Sequence, residues 1–183
     1  MRTMHWGMVI DLRRCIGCHA CTVACQIENN LPLNERWNKV FTVGPEGEFP
    51  LVTSHFLPRP CMHCQDAPCV DGCPTGASQR RPDGIIIVDG ERCIGCKFCM
   101  LVCPYGVRQF EVEKGIVQKC HLCYERLEQG EMPRCVETCQ LKARYAGDLD
   151  DPGSEVAALI KQANARPLYP HLGTKPLVYY IFP

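Results

Sequence analysis

No stretch of this chain approaches the ~20 apolar residues that a bilayer-spanning helix needs. The longest aliphatic run is Ile85-Ile86-Ile87-Val88. The first residues carry no apolar secretory segment, and Arg13-Arg14 does not read as a twin-arginine export signal, because it lies directly against Cys15 with no apolar stretch between. We therefore expect a soluble chain without a direct membrane span, whose contact with a membrane goes through a partner. An excess of one charge is missing too: Lys+Arg and Asp+Glu number 20 each, so no nucleic-acid partner is expected. There is no nucleophile–base pair, phosphate-cradling loop or metalloprotease motif, and hence no candidate catalytic residue.

What the chain has in abundance is cysteine, sixteen in 183 residues. In a secreted chain that density suggests disulfides, but the spacings here are those of metal sites. Residues 10–26 read IDLRRCIGCHACTVACQ, and most of that run returns at residues 88–104 as VDGERCIGCKFCMLVCP. Cys15, Cys18, Cys21 and Cys25 thus answer to Cys93, Cys96, Cys99 and Cys103, each set spaced Cys-x2-Cys-x2-Cys-x3-Cys. This is the ligand run of a bacterial-type 4Fe-4S ferredoxin, in which three cysteines hold one cluster and the fourth reaches another. Two-residue gaps let one tight loop place three thiolates on neighbouring irons of a cubane. Gly17 and Gly95 stand where such a loop needs positive φ.

Two looser groups complete the set: Cys61, Cys64, Cys69 and Cys73, then Cys120, Cys123, Cys135 and Cys139. Four groups of four imply four 4Fe-4S clusters with no cysteine left over. Ferredoxin logic couples the second and third groups, adjacent in sequence, and leaves the first and fourth to couple around them. The expected ligand sets are Cys15, Cys18, Cys21 with Cys139 for cluster 1, and Cys120, Cys123, Cys135 with Cys25 for cluster 2. For cluster 3 they are Cys61, Cys64, Cys69 with Cys103, and for cluster 4, Cys93, Cys96, Cys99 with Cys73. Each oxidised cluster with its thiolates carries about −2, so four add about −8 to the neutral chain. Nearby Lys, Arg and backbone N–H groups must share that charge. Structural zinc is the alternative for Cys-x2-Cys pairs, but zinc ribbons need no fourth cysteine three residues on followed by Pro. His19, His63 and His121 lie beside ligand cysteines; with enough thiolates at every site we expect them to pack or hydrogen-bond nearby rather than ligate. Pro74 and Pro104 follow the second and third groups, whereas Gln26 and Gln140 follow the first and fourth. That difference reads either as different tuning of the outer clusters or as a different turn.

The expected fold is α+β: a duplicated bacterial-type two-cluster ferredoxin fold with one module inserted in the other. Residues 1–28 and 119–150 form the outer module, 29–60 a hairpin insertion, 61–118 the inner module, and 151–183 a C-terminal helix and extended docking tail. Met8 to Asp11 reads as a strand, and His19 to Glu28 as a helix with Cys21, Val23, Ala24 and Ile27 facing inward. The insertion carries strands at Lys39 to Val43 and Phe49 to Leu57 around Gly44-Pro45-Glu46-Gly47, and a second hairpin turns at Lys114-Gly115. Ser154 is expected to cap a helix whose Val156, Leu159 and Ile160 share one face. Trp6 and Trp37 read as packing residues.

The spacing of all four groups, the insertion after Cys25, and the stretches Gly147-Asp148-Leu149-Asp150-Asp151-Pro152 and Leu172-Gly173-Thr174-Lys175-Pro176 resemble the four-cluster iron–sulfur subunit of the dimethyl sulfoxide reductase family. Within it, the chain is most similar to the small subunit of polysulfide and thiosulfate reductases. The resemblance implies a non-catalytic electron-transfer subunit, a catalytic partner carrying a molybdenum or tungsten bis-pterin cofactor, and an integral membrane subunit that exchanges electrons with quinone. It also implies that the cluster of Cys15, Cys18 and Cys21 faces the catalytic subunit, and that of Cys93, Cys96 and Cys99 the membrane side. A complex held to the periplasmic face, with this chain exported alongside its partner, follows from the resemblance; a cytoplasmic place is the alternative. Gln140 after Cys139 departs from the family's usual Cys-Pro. The competing function is a cytoplasmic polyferredoxin-like subunit of a hydrogenase, formate dehydrogenase or aldehyde oxidoreductase.

Overall fold

Met8-Val9-Ile10 offers no polar residue to either side of a strand, the pattern of a strand covered on both faces. In the computed structural model, which describes residues 3–183, all three are fully buried. They lie in β1 (Trp6–Asp11), which is followed by α1 (Ala20–Glu28), β2 (Lys39–Glu46), β3 (Thr53–Arg59), α2 (Pro68–Asp71), β4 (Ser78–Arg80) and β5 (Ile86–Val88). Then come α3 (Phe98–Leu101), β6 (Gln109–Glu111), β7 (Ile116–Gln118), α4 (Tyr124–Glu128) and α5 (Arg134–Glu137). The chain ends with β8 (Arg144–Asp148), α6 (Glu155–Gln162), β9 (Arg166–Pro167), a 3-10 turn (Pro170–Leu172) and β10 (Val178–Ile181).

The one larger sheet has the order β8-β1-β10-β9; β1 runs parallel to β10 and antiparallel to β8. Because side chains alternate along a strand, Met8 and Ile10 point into the main core with Val178 and Tyr180, while Val9 and Ile181 face Val156 of α6. That second face explains the unbroken apolar run. The final residues are extended, as their composition suggests, but β10 is an inner strand of this sheet and Tyr180 is fully buried. Residues 178–181 therefore pack within the chain.

The remaining strands form two-stranded ribbons, β2-β3, β4-β5 and β6-β7. β2-β3 pairs Lys39 with Arg59 through Val43 with His55, and its register shifts before Glu46. β2 therefore runs through Gly44-Pro45, expected as the turn, and the chain reverses between Glu46 and Thr53. On α1, Cys21, Thr22, Ala24 and Cys25 are buried, whereas Val23 and Ile27 are 52% and 73% exposed. The expectation that Val23 and Ile27 face inward is thus corrected. The helix is oriented by its two cysteines, and Thr22 turns inward with them because its hydroxyl donates to the Asn38 carbonyl at 2.9 Å. At α6, Ser154 Oγ accepts from the Ala157 N–H at 3.1 Å, the expected cap.

Candidate metal centres

The first Cys-x2-Cys loop of each group contains a left-handed residue just before its second cysteine: Gly17 (φ 68°), His63 (46°), Gly95 (66°) and Leu122 (59°). Fourth cysteines arrive from elsewhere. Cys15, Cys18, Cys21 and Cys139 line one pocket, which we term the first quartet. Cys61, Cys64, Cys69 and Cys103 line another, the third quartet, and Cys73, Cys93, Cys96 and Cys99 a further one, the fourth. Cys25 on α1 stands among Cys120, Cys123 and Cys135, close enough for their charges to act on it, and these four make the second quartet. The structure thus brings the sixteen cysteines together in four sets of four.

Burial differs among the sets. All four cysteines of the second quartet are buried, and among the sixteen only Cys18 and Cys96 are exposed. Burial, reinforced by neighbouring thiols, pushes the Cys64 and Cys120 thiols up to about 12 and Cys25 higher still. The Cys123 thiol rises to about 11, also chiefly from burial. Four thiolates in one dry pocket repel one another, and a cationic iron core is what makes them compatible. Among the described residues no three His, Cys, Asp or Glu side chains converge tightly enough to hold a single metal ion.

Sulfur atoms in every quartet receive hydrogen bonds. Asn38 Nδ2 donates to Cys21 Sγ at 3.1 Å and the Ala143 N–H to Cys139 Sγ at 3.2 Å. In the second quartet the Leu122 N–H lies 3.5 Å from Cys120 Sγ and Asn29 Nδ2 3.6 Å from Cys25 Sγ. Arg108 Nη2 donates to Cys69 Sγ at 2.9 Å, and the Ser78 N–H to Cys73 Sγ at 3.4 Å. Donors aimed at a thiolate favour its charged form and set cluster potential.

The histidines flank the sites. His63 Nδ1 accepts from the Ile86 N–H at 3.0 Å, and burial holds its pKa well below the usual histidine value. His121 Nε2 meets Asn29 Oδ1 at 2.8 Å, its ring edge-on to Trp37 and Tyr124. His19 is exposed at the start of α1. Trp37 is buried in the main core. Sequence reasoning asked for cations near the clusters without naming them. The fold names Arg108, Lys119 and Arg144, each buried.

A family model described as a 4Fe-4S dicluster domain matches residues 52–149, and another of the same description matches residues 14–77. With sixteen cysteines, they support four 4Fe-4S clusters, and the donor sets fit that group. The chain is 44% identical to a tetrathionate reductase subunit of Salmonella typhimurium, over 96% of this chain and 72% of that protein. It is 40% identical to a selenate reductase subunit of Mesobacillus selenatarsenatis, over 99% of this chain and 73% of the relative. To the putative dimethyl sulfoxide reductase iron-sulfur subunit of Halobacterium salinarum it is 38% identical, over 97% and 79% of the two chains.

Proposed function

Since the chain belongs to the iron–sulfur electron-transfer subunits of the dimethyl sulfoxide reductase family, we propose that it carries electrons along four 4Fe-4S clusters between a catalytic subunit and a quinone-reactive membrane subunit. In this reading each quartet ligates one cluster: Cys15, Cys18, Cys21 and Cys139 the first; Cys25, Cys120, Cys123 and Cys135 the second. Cys61, Cys64, Cys69 and Cys103 hold the third, and Cys73, Cys93, Cys96 and Cys99 the fourth. Every site has four protein thiolates and so keeps no open position for substrate at iron. The catalytic partner carries a molybdenum or tungsten bis-pterin cofactor and meets the first cluster; the membrane subunit meets the fourth. Among the described residues no helix is long and apolar enough to cross a membrane, so the membrane link falls to that partner. We place the complex at the periplasmic face.

The observation that carries this reading is the distribution of exposure. Cys18 and Cys96 belong to different quartets, and they alone of the sixteen cysteines are exposed. A path needs clusters near the surface at two ends and insulated ones between. Buried second-quartet cysteines, three of which lie in the main hydrophobic cluster with Trp37 and Leu122, fit an interior relay.

Isolation of the native complex through a tag on this chain tests the proposal. A large subunit yielding a fluorescent oxidised pterin and an integral membrane subunit should copurify. Recovery with hydrogenase subunits and no pterin would establish the polyferredoxin alternative instead.

A further inference from the structure

Three cations are buried where solvent cannot serve them: Arg108 is 4% exposed, Lys119 3% and Arg144 3%. Among the described residues none of the three forms a salt bridge with a carboxylate. A buried charge without a counter-charge is strongly destabilising. Their negative partners must therefore be of another kind, and the groups they face are cysteines.

Each faces two quartets at once. Arg144 on β8 donates from Nη2 to Asn38 Oδ1 at 2.7 Å, and Asn38 passes its own N–H to Cys21 Sγ. Arg144 also lines the pocket of the first quartet; burial opposes its charge, but Cys21 of the first quartet and Cys135 of the second hold its pKa above the usual arginine value. Arg108 lines the pockets of the third and the fourth quartets. Its Nη2 reaches Cys69 Sγ and, at 2.6 Å, Ser78 Oγ, while Nη1 is buried with no protein partner. Lys119 takes the corresponding place between the second and third quartets, facing Cys120 and Cys61 and donating to the carbonyls of Ile86 and Cys120. One basic side chain thus occupies each of the three gaps in the series from first to fourth quartet, the two arginines held charged by their cysteines and Lys119 with its charge opposed by burial.

We propose that Arg108 and Arg144 are positioning residues for electron transfer, each serving as a counter-charge shared by the two clusters it separates and raising the reduction potential of both. The inference rests on the ligand sets proposed above. A cluster with its four thiolates goes from about −2 to about −3 when it gains one electron, and a nearby buried cation stabilises the second state more. As the electron passes on, one cluster is oxidised by one unit and its neighbour reduced by one. A shared guanidinium attracts that electron on both sides of the step and needs no proton to do so, since arginine keeps its charge. Neighbouring clusters are thereby tuned in pairs.

The test is a redox titration followed by electron paramagnetic resonance on the purified complex, with Cys18→Ser and Cys96→Ser variants identifying the signals of the two terminal clusters. In Arg108→Gln the reduction equilibria of the third and fourth clusters should both fall at least tenfold, 59 mV for a one-electron couple, with the other two unmoved. Arg144→Gln should do the same to the first and second. Arg108→Lys and Arg144→Lys, which keep the charge, should stay within threefold of the parent. A shift confined to the third cluster in Arg108→Gln, a shift shared equally by all four, or none in a fully loaded variant would overturn the proposal. Should the Gln variants lose iron, the Lys variants decide: a tenfold fall there would show that the arginines act through hydrogen-bond geometry rather than charge. Failure of the ligand sets themselves would appear separately, as a parent protein short of about sixteen iron atoms per chain.

Discussion

A Cβ added to Gly95 would stand 2.4 Å from the carbonyl oxygen of Gly115. The first loop of the fourth quartet is therefore roofed by the β6-β7 turn, at a distance that only glycine permits. In the equivalent loop of the first quartet, Gly17 is roofed by the Phe56 ring, with the same closest approach of 2.4 Å. Both glycines also have positive φ, which costs a non-glycine residue about 1–2 kcal/mol by itself.

The two roofs give opposite predictions for repair. Gly95→Ala must displace backbone, so it should deplete the cluster held by Cys93, Cys96 and Cys99, and no side-chain truncation should restore it. Gly17→Ala meets a side chain that can swing aside. Adding Phe56→Ala should recover most of the iron lost from the first site. Gly130→Ala, at positive φ but with nothing within 4 Å, should lose only about 1–2 kcal/mol in denaturant unfolding. Equal iron content in Gly95→Ala and the parent would refute the backbone-contact account.

Those glycines were readable from sequence because positive φ selects for them. The matching positions His63 and Leu122 were not, since neither is glycine; histidine enters that region more readily than most residues, but leucine seldom does, and there the closed loop imposes it. His63 has a local compensation, the hydrogen bond from Ile86. The four cysteine groups are visible in the sequence because close thiol spacing is a local pattern, whereas which fourth cysteine joins which group was inferred from ferredoxin logic and shows only where the chain brings residues as distant as Cys21 and Cys139 to one pocket. Pairing of β1 with β10, which sets Met8 against Val178, leaves no local trace, because it joins residues at opposite ends of the chain. Arg108, Lys119 and Arg144 look in sequence like any solvated charges. Only the fold takes them out of water.

Ser154→Ala should cost about 1 kcal/mol, the usual loss of an N-cap, because its hydroxyl serves both the Ala157 N–H and the Asp148 carbonyl. The cluster sites lie on the other face of the sheet from α6, whose Val156 packs against Val9 and Ile181. Visible absorption and iron content should therefore match the parent while the urea midpoint falls. A loss of iron would show that α6 is coupled to the cluster side after all.

Iron and acid-labile sulfide should each be found at about sixteen per chain, with zinc near zero. Removing them should unfold the protein. Cys21, Cys25, Cys61, Cys64, Cys120 and Cys135 sit inside the main hydrophobic cluster, beside Met8, Leu12 and Met62, so losing the iron cores leaves thiols and space where the core should be. Chelation under oxidising conditions should abolish the near-UV circular dichroism and the cooperative thermal transition. Survival of both after complete loss of iron would mean that β1, β10 and α6 suffice to hold the fold.

The direction of the path can be tested at its two exposed cysteines. Cys96→Ser should convert or lose the cluster of the fourth quartet, and Cys18→Ser that of the first. If the fourth cluster meets the membrane subunit, Cys96→Ser should slow electron flow between quinone and the catalytic subunit, while a soluble dye that reaches the catalytic subunit directly should still reduce it at the parental rate. Cys18→Ser interrupts the opposite end, so electrons from quinone should reach the second, third and fourth clusters but not the catalytic site. The two variants are then distinguished by which clusters quinol can reduce at the parental rate: none in Cys96→Ser, three in Cys18→Ser. Metal analysis and electron paramagnetic resonance must first show three intact clusters in each assembled complex. A Cys96→Ser complex that keeps its other three clusters and draws electrons from quinol at the parental rate would mean that the membrane partner docks elsewhere, and the order from fourth to first quartet would have to be reversed or abandoned.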